Sequence, residues 1–136
     1  MGNGSDAVGV AALLGMHDFV VTAQTERDGE VWLAIETTTT RLACPSCGVF
    51  GVGNGRRRVL VRDLPIAGRP TVLVWAKRTG RCQETLCERS SWSETSSLIS
   101  PRASLTERAR REICRRVGEE LDSVAELARE AGVGWA

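Results

Sequence analysis

The sequence of 136 residues predicts an α+β fold, with an N-terminal β-hairpin, a second antiparallel β module and a small helical tail. Two pairs of β-prone segments, each interrupted by a glycine-containing turn, predict the strands. Capping-box residues followed by apolar residues at helical spacing predict the helices. The length suits one domain or a few small modules, and we divide the chain into residues 1–40, 41–97 and 98–136.

The strands are predicted from segments rich in β-branched residues on either side of a short turn. In the first hairpin, Asp28 and Gly29 are residue types that tolerate the positive φ angles of a tight turn. In the second hairpin, Gly68 and Pro70 interrupt the apolar pattern. The four predicted strands are residues 19–24, 31–37, 57–64 and 71–78.

The segment of residues 90–100 is rich in serine and threonine and is predicted to be a linker between the β module and the helical tail. Ser104 and Glu107 then have the spacing of a capping box, and apolar residues recur at helical spacing up to Gly118. A first helix is therefore expected in this stretch.

A second capping box, Ser123 with Glu126, predicts a short helix that ends at Gly132. A helix, a short turn, a helix and a glycine turn in this order begin a helix-turn-helix DNA-binding unit, although an ordinary helical hairpin fits equally well. The DNA-reading helix of such a unit would begin near Trp135, and the chain ends at Ala136. The tail is therefore predicted to be an incomplete helix-turn-helix.

Four of the five cysteines form two pairs. Cys44 and Cys47 enclose a Pro-Ser dipeptide and precede a glycine, and Cys82 and Cys87 follow the second predicted hairpin. Pairs at the ends of neighbouring hairpins can surround a zinc ion with four thiolates, which leaves no open position for catalysis. Iron, unliganded thiols and a redox pair of Cys44 and Cys47 are the alternatives, and we predict structural zinc.

Several other residues that could belong to a site are predicted to be structural. Trp75 and Trp92 are assigned to the core, because the sequence has few other aromatic residues to fill it. Cys114 stands alone in the first predicted helix, and His17 is remote in sequence from both cysteine pairs. Neither is expected to bind metal.

The sequence also bears on the cellular compartment. No lysine or arginine precedes the apolar run of residues 7–16, so this run lacks the charged start of a secretory signal. An odd number of cysteines argues against a closed set of disulfides, and no apolar segment is long enough to span a membrane. We expect a cytoplasmic protein with no membrane partner.

The net charge of +1 conceals a strong segregation of charge along the chain. Residues 1–40 hold one arginine against six acidic residues, whereas residues 41–82 hold nine basic residues against Asp63 alone. A basic stretch of this kind favours binding to a polyanion such as DNA, and a solubilising surface is the alternative. The candidate phosphate-contacting residues are Arg56, Arg57, Arg58, Arg62, Arg69, Lys77, Arg78 and Arg81.

Five stretches of the sequence form a specific combination: LLGM, ACPSCG, RRVLVRDLPIAGRPTVLVW, RCQETLCERSSWSET and SVAELAREAGVGW. Through them, nearly the whole chain resembles the N-terminal region of bacterial ISL3-family insertion-sequence transposases. The resemblance implies that Cys44, Cys47, Cys82 and Cys87 are zinc ligands and that the segment after Ser123 reads DNA. It also implies a large RNase H-like catalytic domain in full-length members.

The resemblance implies a DNA-binding zinc-finger fragment of a transposase, which the basic residues position on transposon ends through phosphate contacts. The 136 residues contain no such catalytic domain, so we expect no enzyme and no small-molecule substrate. The alternative is a zinc ribbon for protein contacts, for example the assembly of a homo-oligomer without DNA binding. An oxidoreductase using Cys44 and Cys47 is the third hypothesis.

Overall fold

The computed structural model describes residues 15–39, 41–120 and 124–132 and has the predicted α+β architecture. A sheet of five strands is followed by two short helices. The strands are β1 (Phe19–Arg27), β2 (Glu30–Thr37), β3 (Val52–Ile66), β4 (Arg69–Arg81) and β5 (Ser91–Ser93). The helices are α1 (Glu107–Arg115) and α2 (Val124–Ala131), with a π-helical segment, Arg116–Glu120, between them. None of the described helices is long and apolar enough to cross a membrane.

Both predicted hairpins are present and antiparallel, with β3 and β4 longer than expected. They join into one sheet of order β1-β2-β4-β3 because β2 pairs with β4 in parallel, from Val31 beside Thr71 to Ile35 beside Trp75. The hydrogen bonding of the sheet therefore runs across the predicted boundary between residues 1–40 and 41–97. The division into three segments stays a prediction.

The hydrophobic core covers one face of the sheet. Strand residues alternate between the two faces, and the buried side chains of β2, β3 and β4 include Leu33, Ile35, Val61 and Leu73. Trp75 lies among them, almost fully buried, with the ring of Phe19 edge-on at 5.6 Å between centroids. The prediction that Trp75 belongs to the core is confirmed.

The predicted linker is wrong in part, because residues 91–93 form strand β5. This strand pairs with Thr79–Arg81 of β4, beyond the point where the pairing of β2 with β4 ends. Trp92 is buried as predicted, and its indole lies so close to Gly80 that an added Cβ there would be 2.7 Å from Trp92 Cζ2. An indole packed on a glycine surface holds this serine-rich segment against the sheet.

Helix α1 begins two residues later than its capping box predicts. Residues 104–106 run along the outer edge of β3, where Arg62 N–H donates to the carbonyl of Ser104 and Thr106 N–H donates to the carbonyl of Arg62, at 2.9 and 2.8 Å. The N-cap is therefore Thr106, whose hydroxyl accepts from Ala109 N–H at 3.2 Å. Pairing with β3 accounts for the shift, because it satisfies the backbone of these residues in an extended conformation.

A buried carboxylate attaches α1 to the sheet. Asp63 of β3 accepts hydrogen bonds from the Thr106 hydroxyl at 2.7 Å and from Arg108 Nε at 2.9 Å, and it forms an ion pair with the same guanidinium. Asp63 is the single acidic residue of the basic segment, residues 41–82, and these contacts occupy both of its carboxylate oxygens. The start of the helical tail is thereby fixed relative to the β module.

Helix α2 ends as predicted at Gly132, whose φ of +77° favours glycine. A Cβ at Gly132 would be 2.9 Å from Pro70 Cβ, so the glycine also permits close packing on the sheet. Ser123 of the second capping box and the segment around Trp135 lie outside the described residues. The assignment of the tail to an incomplete helix-turn-helix stays a prediction.

The anchoring role of Asp63 can be tested with Asp63→Asn, which keeps the shape of the side chain but removes its charge. We expect a loss of about 2 kcal/mol in the free energy of unfolding, because the Arg108 guanidinium loses its partner next to a buried site. Urea unfolding of the zinc-loaded protein measures it. Asp28→Asn, in the exposed hairpin turn, is the matched control, and equal stability of the two variants would contradict the assignment.

The packing of Trp92 predicts different outcomes for two glycines of the second hairpin. Gly80→Ala places a methyl group against the indole and should cost about 1 to 3 kcal/mol of stability. Gly53→Ala meets no atom within 4 Å and should be neutral or slightly stabilising. Thermal unfolding of both variants decides this, and a tolerated Gly80→Ala would show that Trp92 does not pack there.

Candidate metal centre

The first cysteine pair lies in a tight loop that leads into β3. Cys44 N–H donates to the carbonyl of Val49 at 2.9 Å, and Gly48 N–H donates to the carbonyl of Cys44 at 2.8 Å. These bonds reverse the chain between the two cysteines, and Gly48 has a φ of +76°, which a residue with a side chain seldom adopts. The Cys-x-x-Cys-Gly sequence thus folds into a knuckle that presents both thiols on one side.

The second cysteine pair lies in the loop that connects β4 to β5. Cys82 N–H donates to the carbonyl of Ser90 at 3.0 Å and closes the base of this loop. Cys87 N–H donates to the carbonyl of Glu84 at 3.1 Å, which turns the chain back towards Cys82. Because β3 and β4 are paired, the loop before β3 and the loop after β4 lie at the same end of the sheet.

The four thiol sulfurs converge at that end. The Sγ atoms of Cys44 and Cys87 are 3.8 Å apart, those of Cys47 and Cys82 are 3.7 Å apart, and all four lie within 4.8 Å of one another. A tetrahedral zinc ion with Zn–S bonds of about 2.3 Å requires sulfurs separated by about 3.8 Å. The cluster therefore fits zinc, as the sequence predicts.

The surroundings of the cluster shift the pKa values of three of the four thiols. Burial raises the pKa of the Cys44 thiol. Hydrogen bonds with the backbone of Cys47 and Ser46 outweigh this effect and bring the pKa down to about 7. A hydrogen bond with the backbone of Glu84 lowers the pKa of Cys82, but burial and the neighbouring cysteines raise it to about 12. The pKa of Cys87 is also raised. Zinc binds cysteine as the thiolate, so binding of the ion to this cluster would release protons from the thiols.

Zinc held by these four residues would have only protein ligands and no position for a reactive water. Its chemistry would be structural: it would join the loop before β3 to the loop after β4. Two protein contacts already join the same parts. Arg89 Nε donates to the Ser46 hydroxyl at 2.9 Å, and the Trp92 ring lies against Gly51 and Gly80, so that a Cβ on Gly51 would be 2.5 Å from Trp92 Cη2.

The predicted phosphate-contacting residues fall into two groups. In the first group, the guanidinium is paired with an acidic side chain: Arg56 with Glu36, Arg62 with Glu30, Arg69 with Glu26 and Arg78 with Glu94. Arg78 is the most enclosed of the four, since it also donates to the Thr37 hydroxyl at 2.8 Å. Its partner Glu94 is buried and accepts from Arg78 N–H at 2.9 Å and from Thr37 at 2.8 Å, which ties β2, β4 and the segment after β5 together.

The second group is not paired with acids in the part of the chain that the structure describes. It comprises Arg57, Arg58, Lys77 and Arg81. Arg57 and Lys77 are register partners on β3 and β4, and Arg58 follows on the opposite face of the strand. Lys77 also lies over the Trp75 ring at 5.3 Å, and Arg81 donates to Asn54 Oδ1 at 3.3 Å. The role of all eight residues in DNA binding stays a prediction.

Acidic partners of the basic residues are visible only in the structure. The sequence shows Glu26, Glu30 and Glu36 only as negative charge on the first hairpin, but their pairing with individual arginines depends on the parallel contact between β2 and β4.

His17 and Cys114 are exposed and lie outside the four-cysteine cluster. Glu94 lay within the predicted linker, where a serine-rich sequence gives no signal of burial.

Metal dependence can be tested by replacing Cys44 or Cys82 with serine. Each variant should lose zinc and unfold the end of the β module, because metal binding contributes on the order of 10 kcal/mol to the folding of small zinc domains. Metal content by mass spectrometry and thermal unfolding are the measurements. Cys114→Ser is the control and should retain both zinc and stability; a Cys82→Ser variant with full zinc content would contradict the assignment.

Comparison with known proteins agrees with this geometry. Residues 40–87 match the family model described as the zinc-finger of transposase IS204/IS1001/IS1096/IS1165, and this range contains all four cysteines of the cluster. No curated protein and no solved structure matches the chain. The matched region is the zinc finger alone, and no catalytic domain is found in the 136 residues. Residues 40–87 are therefore a zinc finger of the ISL3 transposase family.

Proposed function

We propose that this protein binds DNA as the zinc-finger part of a transposase and positions itself on transposon ends through phosphate contacts. The observation that carries the proposal is a group of basic residues without acidic partners in the described chain, next to the four-cysteine cluster of a transposase zinc finger. Contacts to phosphate fix the position of a protein on DNA without reading the base sequence. The proposal includes no strand-transfer chemistry.

The ribbon of β3 and β4 near the metal centre offers a surface of suitable charge. Residues 41–62 contain five arginines and no acidic residue, and the one acid of residues 41–82, Asp63, is buried under α1. The side chains of Arg57 and Arg58 point to opposite faces, but β3 is the outermost strand of the sheet, so both border the same edge. A duplex placed along this edge can be contacted from both faces of the strand.

The metal centre contributes to this function through rigidity. Zinc would hold the ends of β3 and β4 together at the place where the ribbon extends beyond the hydrophobic core. Four thiolates and Zn²⁺ together carry a charge of −2. Nearby arginines offset part of this charge, for example Arg89, which donates a hydrogen bond to Ser46 of the first knuckle. The remaining cations of the ribbon are then available to phosphates.

The proposal is tested with a double variant, Arg57→Ala with Arg58→Ala, in gel-shift titrations at increasing salt. DNA affinity should fall for every sequence alike, and the slope of log K against log salt should become shallower by about 2, because each phosphate contact contributes about 0.9. Arg78→Ala is not a suitable control, because it would break the contact with Glu94.

Arg110→Ala is the matched control, since this residue is equally basic and exposed but lies on α1 in an ion pair with Glu107. Its salt dependence should equal that of the unmodified protein. A double variant that loses preference for one sequence but keeps its salt slope would show that Arg57 and Arg58 read bases. Absence of any DNA retention by the unmodified protein would contradict the proposed function.

A second candidate function, subunit assembly through the metal-binding end, is favoured by exposed apolar side chains there. Leu86, between the second pair of cysteines, is 91% exposed, and Phe50 and Val49 after the first pair are about half exposed. Glu84 and Glu88 flank Leu86, which suits a protein partner better than a phosphate backbone. Concentration-dependent dimerisation that Leu86→Ser abolishes, together with no retention of DNA, would favour this function.

A further inference from the structure

We propose that the acidic hairpin β1–β2 limits the DNA-contacting surface by neutralising Arg56 and Arg69 within the same chain, so that DNA is confined to the cations of the β3–β4 ribbon that have no acidic partner in the described chain. This inference rests on the proposed function and assigns a regulatory role to Glu26 and Glu36. The carrying observation is that three of the ion pairs of the basic segment have their acidic partner on this one hairpin.

The acids of β2 and the arginines of β3 lie on the same face of the sheet. In β2 the buried residues are Val31, Leu33 and Ile35, so Glu30 and Glu36 lie on the face of the sheet opposite the core. In β3 the buried residues are Val61 and Asp63. Because strand residues alternate, Arg56 and Arg62 lie on that same outer face. The acids of β2 and the arginines of β3 therefore share one surface, on either side of β4.

The spacing of the acids on β2 matches the spacing of the arginines on β3. Glu30 and Glu36 are six residues apart on β2, and their partners Arg62 and Arg56 are six residues apart on β3. Because β2 is parallel to β4 and β4 is antiparallel to β3, advancing along β2 corresponds to moving back along β3. The parallel pairing of β2 with β4 thus sets both ion pairs at once. Glu26 of β1 adds a third pair, with Arg69 at the start of β4.

The three arginines differ in their exposure to solvent. The side chains of Arg56 and Arg69 are 56% and 48% exposed, so a duplex could reach them if their acidic partners were absent. Arg62 is 26% exposed and lies against the end of α2, where a Cβ on Gly132 would be 2.9 Å from its guanidinium. The inference therefore concerns Glu26 and Glu36, and the Glu30 pair is left to stabilise the packing of α2.

The ion pairs of Glu26 and Glu36 contribute little to stability. Exposed ion pairs contribute about 0 to 1 kcal/mol to stability, so the fold does not depend on these two acids. Their effect on DNA binding is larger, because every additional arginine that reaches a phosphate adds about 0.9 to the salt slope. A carboxylate close to each guanidinium also repels the phosphates that would approach it. The hairpin therefore affects binding more strongly than folding.

The test is the double variant Glu26→Gln with Glu36→Gln, titrated with a DNA duplex over a fourfold range of salt. Release of two arginines should steepen the slope of log K against log salt by about 1.8, so that affinity falls about 12-fold more across this range than for the unmodified protein. Asp18→Asn with Asp28→Asn removes the same number of charges from exposed acids that form no ion pair within the described ranges, and it should leave the slope unchanged. Circular dichroism verifies that both variants fold.

A second readout separates failure of this inference from failure of the proposed function. On immobilised heparin, the Glu26/Glu36 variant should elute at higher salt than the Asp18/Asp28 control. Equal elution and equal salt slopes would overturn the inference while leaving DNA binding intact. If no form of the protein retains DNA but the shift on heparin remains, the proposed function fails and the hairpin still screens the basic surface from polyanions.

Discussion

The structure depends first on the convergence of four sulfurs that are remote in sequence. Cys44 and Cys47 precede β3, Cys82 and Cys87 follow β4, and a tetrahedral zinc ion requires the spacing that they adopt. A long two-stranded ribbon that extends beyond a small core has few apolar contacts of its own. A metal ion at its end supplies the stability that the small core of this module lacks.

The packing of the first hairpin against the β3–β4 ribbon determines the positions of charged side chains as well as of apolar ones. The parallel contact between β2 and β4 buries Val31, Leu33 and Ile35, and the same register sets acids of β2 opposite arginines of β3. The cations of the β3–β4 ribbon left without acidic partners in the described parts of the chain are Arg57, Arg58, Lys77 and Arg81. The strand pairing that buries the apolar side chains on one face of the sheet thus also determines which arginines on the other face are paired with acids.

The helical tail is attached to this sheet through defined contacts. Asp63 receives hydrogen bonds from Thr106 and Arg108, and the edge of β3 pairs with the segment that precedes α1. Gly132 at the end of α2 lies close to Pro70 at the other end of the ribbon from the sulfurs. The start and the end of the described tail are therefore both in contact with the β module.

The sequence by itself determined the local elements and the metal ligands. Asp28-Gly29 specifies a tight turn, Gly132 ends a helix, and two spaced cysteine pairs are a pattern that few other structures require, so these features could be predicted without a fold. Tertiary structure alone decided the parallel junction of the hairpins, the burial of Trp92 in a serine-rich segment and the start of α1 at Thr106. It also decided which arginines are paired. The physical reason is that hairpin turns and cysteine loops are set by neighbouring residues, whereas ion pairs and strand order depend on contacts between segments tens of residues apart, which spacing along the chain does not encode.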